Sequence, residues 1–285
     1  MKYYTNVCRL NDNLCIRGID DQGQAFKERV QYQPTIYVET DKESPYKNIH
    51  GTSLKPIAFN GMPECLEFCN EHRETNLTLY GFPHYHHTYI LENYQSSEKH
   101  WNRDNIRIFN IDIEVYSDEG FPEARDAAYP ITAICIHDSK LDKFLVFATG
   151  HWSPEKSELT PELSSKTYFI SCNNEQELIT RFIRYWQDFP PDIVTGWNID
   201  FFDMPYIFNR MSNLGFDVKK LSPWRHCYIS DVETSRGSEQ SVNIAGIELL
   251  DYLDMYRKRK VQDSYRLDNI ASIELGEKKL DYSEA

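Results

Sequence analysis

Apolar and polar positions alternate along "IRIFNIDIEVY" (106–116), which predicts an extended strand. Phe109, Ile111, Ile113 and Val115 share one face, and Asp112 and Glu114 share the other. "AAYPITAICIHD" (127–138) and "KFLVFATG" (143–150) read as two further strands, and the short polar connections suggest an antiparallel meander. The period then changes. In "NNEQELITRFIRYWQDF" (173–189), Leu178, Phe182, Ile183 and Trp186 form a helical stripe, and Asn174 with Glu177 makes a start resembling a capping box. "PPDIVTGWN" (190–198) is a short apolar strand of the kind buried in a parallel pairing. "DMPYIFNRMSNLG" (203–215) predicts a helix, with Asp203 at the cap, Pro205 in the first turn and Gly215 just past the end. "GIELLDYLDMY" (246–256) reads as a later strand. A meander followed by helix, strand, helix and strand predicts an α/β layer fold with a mixed sheet.

The first 100 residues read differently. "NLCIRGID", "PTIYVET", "TLYGF" and "HTYILEN" are short strand patterns around one helix, "GMPECLEFCNEH". The polar stretch "QSSEKHWNRDN" (95–105) reads as a connection. The expectation is a smaller, mainly β domain over 1–100 and an α/β domain over 101–285. Cys65, Cys69 and His72 recur at helical spacing, but that spacing fits no common zinc pattern, so they are assigned to a buried helix face. His84, His86 and His87 lack a Cys or acidic partner at ligand spacing and are assigned a structural role.

Composition narrows the function classes. Hydrophobic content of 40% and charged content of 26% describe a soluble globular protein. No apolar run approaches the length of a membrane span. Seven cysteines, mostly in apolar contexts, read as reduced thiols of a cytosol-like compartment. A net charge of −13 argues against nucleic-acid binding over the whole surface, leaving only local basic islands such as "RKRK" (257–260).

Two carboxylates side by side on a strand repel, and a divalent cation is their natural compensation. An Asp-x-Glu is common by itself: "DKE" (41–43) and "DVE" (231–233) are others. What distinguishes Asp112 and Glu114 is the apolar strand that carries them. "GWNIDFFD" adds Asn198 and Asp203 where a buried strand ends and a helix begins, the position at which open α/β sheets bind ligands. Three carboxylates, Asp112, Glu114 and Asp203, would then surround one cleft. The alternative assigns Asp203 to helix capping alone.

At these residues the chain resembles the family B DNA polymerases. "FNIDIEV" is similar to their first exonuclease motif and "GWNIDFFDMPYIFNR" to their second. "DEGFPE", "LSPWRH", "ELLDYLDMYRK" and "YRLDNIASIELGEKKLDY" further resemble the replicative enzymes of T-even-type phages. The resemblance implies an N-terminal domain followed by a ribonuclease H-like 3′–5′ proofreading exonuclease domain, in a phage-infected bacterial cytoplasm. It implies two Mg²⁺ or Mn²⁺ ions, with Asp112 bridging both, Glu114 on the ion that activates water and Asp203 on the other side. It also implies that Phe121 packs on the terminal bases of single-stranded DNA, while Asn198 and Tyr206 position strand or water. The family's third motif, Tyr-x3-Asp, does not follow the second here. The one Tyr-x3-Asp is "YVETD" (37–41), upstream of the first motif, and "HCYISD" (226–231) offers only Asp231. Full activity is therefore expected to need the remaining polymerase segment, in cis in a longer chain or as a separate chain. The competing expectations are a non-catalytic nucleic-acid-binding or polymerase-docking module, and a stand-alone nuclease for RNA.

Overall fold

The computed structural model describes residues 2–81, 84–94, 102–118, 120–234 and 237–277. The chain divides into two compact units, Met1–Asn105 and Ile106–Ala285. Most of the polar connection over 95–105 lies outside the described residues.

In the first unit, β1 (Tyr3–Leu10), β2 (Asn13–Ile19) and β3 (Ala25–Val30) form an antiparallel meander. A second sheet joins β4 (Thr35–Glu39), β5 (Tyr46–Lys47), β6 (Ser53–Ala58) and β7 (Leu79–Tyr80) in the order β5-β6-β4-β7. Helix α1 (Met62–Glu71) turns Met62, Cys65 and Cys69 into a core shared with Leu14, Ile16 and Ile36. Cys65 and Cys69 thus serve that helix face, and His72 stacks on Phe68 with ring centroids 4.2 Å apart. Helix α2 (Tyr85–Asn93) replaces the strand expected for "HTYILEN". Thr88 and Ile90 suggest a strand locally, but Tyr85, Tyr89 and Glu92 fall on one helical face and meet Tyr32. Tyr85 and Tyr89 pack edge-on against the Tyr32 ring, and Tyr32 donates its hydroxyl proton to Glu92 at 3.0 Å.

The second unit is built on a six-stranded mixed sheet. Its members are β8 (Ile108–Val115), β9 (Ile131–Asp138), β10 (Lys143–Ala148), β11 (Thr167–Ser171), β12 (Ile193–Gly196) and β15 (Glu248–Asp251). Their order is β11-β10-β9-β8-β12-β15. β8, β9 and β10 pair antiparallel, whereas β11 joins β10, and β12 joins both β8 and β15, in parallel. The expected meander is present, and β11 is an additional edge strand. A short helix α3 (Pro161–Lys166) precedes β11. Helix α4 (Glu175–Asp188) starts at its Asn174 cap, whose side chain accepts the Glu177 N–H at 2.9 Å. It buries Leu178, Ile179, Phe182, Ile183 and Trp186, each contributing roughly 1.5–3 kcal/mol, against Phe109, Ile111 and Ile136 in one core.

Helix α5 (Asp203–Asn213) buries Met204, Tyr206, Ile207 and Met211 in the same core. Its end is a Schellman closure: Gly215 sits at φ 78°, and Phe216 donates its N–H to the Met211 carbonyl at 2.8 Å. A fork of Arg210 on Glu175, at 2.8 and 2.7 Å, ties α5 to the first turn of α4. β13 (Cys227–Thr234) and β14 (Gly237–Ile244) form a separate antiparallel hairpin whose turn lies outside the described residues. "GIELLDYLDMY" is strand only as far as Asp251. Asp251 caps α6 (Tyr252–Arg257) by accepting the Leu253 N–H at 2.8 Å, which ends the strand there. α7 (Leu267–Leu275) is the last described element, and among the described residues no helix is long and apolar enough to cross a membrane.

Candidate active site

The site forms where two neighbouring strands end at different heights. Pairing of β12 with β8 stops at Thr195–Asn110, but β8 continues to Val115. Just beyond, β12 closes on β8 so tightly that a Cβ on Gly196 would lie 2.6 Å from the Ile111 carbonyl oxygen. Only glycine fits there. The main-chain N–H of Ile113, on the stretch that has outrun β12, needs another acceptor. Asp203 supplies it, its Oδ1 accepting that proton at 3.1 Å. Asp203 is therefore not the helix cap expected from the sequence. Phe202 occupies the cap position and Asp203 is the first helical residue.

Asp203 is only 3% exposed. Burial, and next the charge of Asp112, push its pKa up to about 7, and the Ile113 N–H offsets part of that rise. Asp112 and Glu114 are exposed on the solvent face of β8, as the alternation requires. With Ser117, Gly120, Phe121, Pro122 and Phe202 they line an open cleft of about 490 Å³. Asp203 is not part of this lining but is bonded to Ile113, which is. Among the described residues the three carboxylates do not form a converging group of three metal-capable side chains.

The aromatic wall was only half visible in the sequence. Phe121 is 77% exposed and rests on Phe202, ring centroids 4.8 Å apart. Phe202 is the aromatic residue just before Asp203, and that adjacency was the one signal for it. Ser117 donates its hydroxyl proton to the Gly120 carbonyl at 2.8 Å and closes the loop that presents Phe121.

Asn198 and Tyr206 do not line the cleft. Tyr206 is fully buried; its hydroxyl donates to the Tyr129 carbonyl at 2.8 Å and accepts the Tyr129 N–H at 3.2 Å. It anchors the segment ahead of β9, where the sequence suggested a residue that positions strand or water. Asn198 turns the chain between β12 and α5 at φ 67°, held by its N–H on Asp251 at 2.9 Å. Its amide oxygen is buried without a hydrogen-bond partner among the described residues. Asp231 is exposed on β13 and paired with Arg125 at 2.6 Å.

A family model described as DNA polymerase family B, exonuclease domain, matches residues 82–270. The chain belongs to this family. As a family B exonuclease-domain chain it is 31% identical to the DNA-directed DNA polymerase of Escherichia phage RB69 and 30% identical to that of Enterobacteria phage T4, each across 99% of its own length. It is 29% identical to the DNA polymerase delta catalytic subunit of Caenorhabditis elegans across 62% of its length. The chain spans about a third of its phage relatives, 34% and 33% of their lengths. The mixed sheet and small antiparallel sheets agree with the fold class that the family resemblance implied.

Proposed function

We infer that the second unit is the 3′–5′ proofreading exonuclease of a DNA polymerase, removing nucleotides from single-stranded DNA ends. One observation carries the reading: a buried carboxylate, Asp203, is hydrogen-bonded to Ile113 in the lining of a cleft that also holds Asp112, Glu114 and the exposed Phe121, and burial, then the charge of Asp112, pushes its pKa up. The donor set suits hard divalent cations. Carboxylate oxygens are their preferred ligands, and a cation held by these acids would favour the charged form of Asp203. Asp112, Glu114 and Asp203 would hold two Mg²⁺ or Mn²⁺ ions. Bound there, such ions supply charge neutralisation at the phosphate and lower the pKa of water.

The protein's own groups do the rest. Ile113 fixes Asp203 through a main-chain hydrogen bond, so one acid is positioned by the sheet. Phe121 and Phe202 offer stacking faces to a terminal base of any identity, which suits a site that must accept any frayed end. Ser117 holds the Phe121 loop in place. The remaining segment of the polymerase, in cis or as a separate chain, would complete the acid set and deliver the primer 3′ end.

The test is digestion of oligonucleotides labelled at one end, in Mg²⁺ and in Mn²⁺, with and without the rest of the polymerase. Stepwise shortening from the 3′ end of DNA, abolished by EDTA, is the expected result. Binding without shortening would leave a docking module, and faster cleavage of RNA would overturn the DNA assignment. Phe121→Ala should weaken capture of the single-stranded end by about 1–3 kcal/mol, read as a raised KM with little change in the saturated rate. Its urea midpoint should hold, because the ring is largely exposed.

A further inference from the structure

We propose that His84, His86 and His87, at the start of α2 in the first unit, form a binding site for Zn²⁺. The ligand-capable nitrogens of these three side chains all lie within 4.8 Å of one another. Among the described residues no other group of three metal-capable side chains converges as closely. The rings crowd together, with centroids 4.1 Å apart for His86–His87, 5.3 Å for His84–His87 and 5.9 Å for His84–His86.

The sequence did not suggest this, because the spacing is compact and lacks a Cys or acidic partner. Folding supplies what the spacing lacks. Tyr85 is buried and bonded to the Met62 carbonyl at 3.3 Å, and Tyr89 packs on Tyr32, so the inner face of α2 is anchored. His84 precedes the first helical residue, and the Thr88 N–H donates to its carbonyl at 3.1 Å. His86 and His87 follow within the first turn. The backbone beneath the three rings is therefore fixed, while His84 and His87 are exposed and free to adjust.

Zn–N bonds of about 2.0–2.1 Å in a tetrahedral site place ligand nitrogens roughly 3.4 Å apart. Closing from 4.8 Å to that spacing is within reach of side-chain torsions. Three imidazoles with water in the fourth position make an open site. The positive end of the α2 dipole opposes a cation, but only by about two- to fivefold in affinity. Imidazole favours zinc-type ions, whereas the carboxylate cleft favours Mg²⁺ and Mn²⁺, so the two sites would sort metals by ligand softness.

The experiment titrates Zn²⁺ calorimetrically into the metal-free full chain carrying Asp112→Ala and Glu114→Ala, which removes the competing acids, with reductant present. One equivalent per chain is expected. Each of His84→Ala, His86→Ala and His87→Ala should weaken binding at least about tenfold, since losing a ligand costs no less than losing an outer-shell partner. The triple substitution should abolish it. His87→Ala alters only an exposed ring, so it remains informative if the triple variant folds poorly. No binding, or binding of unchanged affinity in the His87 or triple variant, overturns the assignment.

Discussion

Replacing Asp112 and Glu114 together by alanine should abolish 3′-end digestion of single-stranded DNA by the assembled enzyme while the fold holds. The single-turnover rate should fall by at least about a hundredfold, because losing both exposed acids costs several kcal/mol of transition-state stabilisation at the phosphate. The fold should not suffer. Both side chains are exposed, and removal of Asp112 relieves repulsion on Asp203. In metal-free buffer the urea midpoint should therefore hold or rise. Digestion at the parent rate would show that the cleft is not the reactive site. A fall in activity accompanied by a fall in the urea midpoint would indicate damage to the fold.

The second large effect is a pH-dependent stability carried by Asp203. Burial, and next the charge of Asp112, hold its folded pKa at about 7, above the ordinary carboxylate value of 3.8 that serves for the unfolded chain. A raised acid favours the protonated folded state. Its contribution is neutral below about pH 4, turns unfavourable as pH rises through the interval to 7, and stays so above. The shift corresponds to a cost of up to about 4 kcal/mol at pH 8. Asp203→Asn keeps an oxygen for the Ile113 N–H and removes the charge. In EDTA the variant should gain on the parent progressively between pH 4 and 7, then hold a constant advantage. Added Mn²⁺ should stabilise the parent and leave the variant nearly unchanged, which narrows the gap. A gap independent of pH would mean that Asp203 does not titrate in this range.

The parts of the fold that the sequence discloses are those whose signal is local. β8 declares itself because Phe109, Ile111 and Ile113 alternate with Asp112 and Glu114. The start of α4 does so because Asn174 bonds a main-chain N–H three residues away. Misreadings arise where a distant partner decides. Helix α2 needs Tyr32 to show which of its residues form a face. The motif around Tyr206 likewise does not show that its hydroxyl is hydrogen-bonded to the main chain of distant Tyr129. Asp203 resembles a helix cap until β12 is seen to stop short of β8. The histidines of α2 show the same limit: their spacing says little until one helical turn is laid down beneath them.

The step between β8 and β12 is also a transferable part. Most acids on a sheet project from one of its faces and depend on rotamers to find their partners. A strand that outruns its parallel neighbour by a few residues exposes main-chain N–H groups in the plane of the sheet. An aspartate opening the following helix can occupy that gap. Its position is then set by strand spacing, which Gly196 fixes through close backbone contact. A designer could install the same step in an unrelated parallel sheet. It would need one shortened strand, a glycine at its end and an aspartate seven residues on, as Gly196 and Asp203 stand here, and it would hold a carboxylate without help from neighbouring side chains.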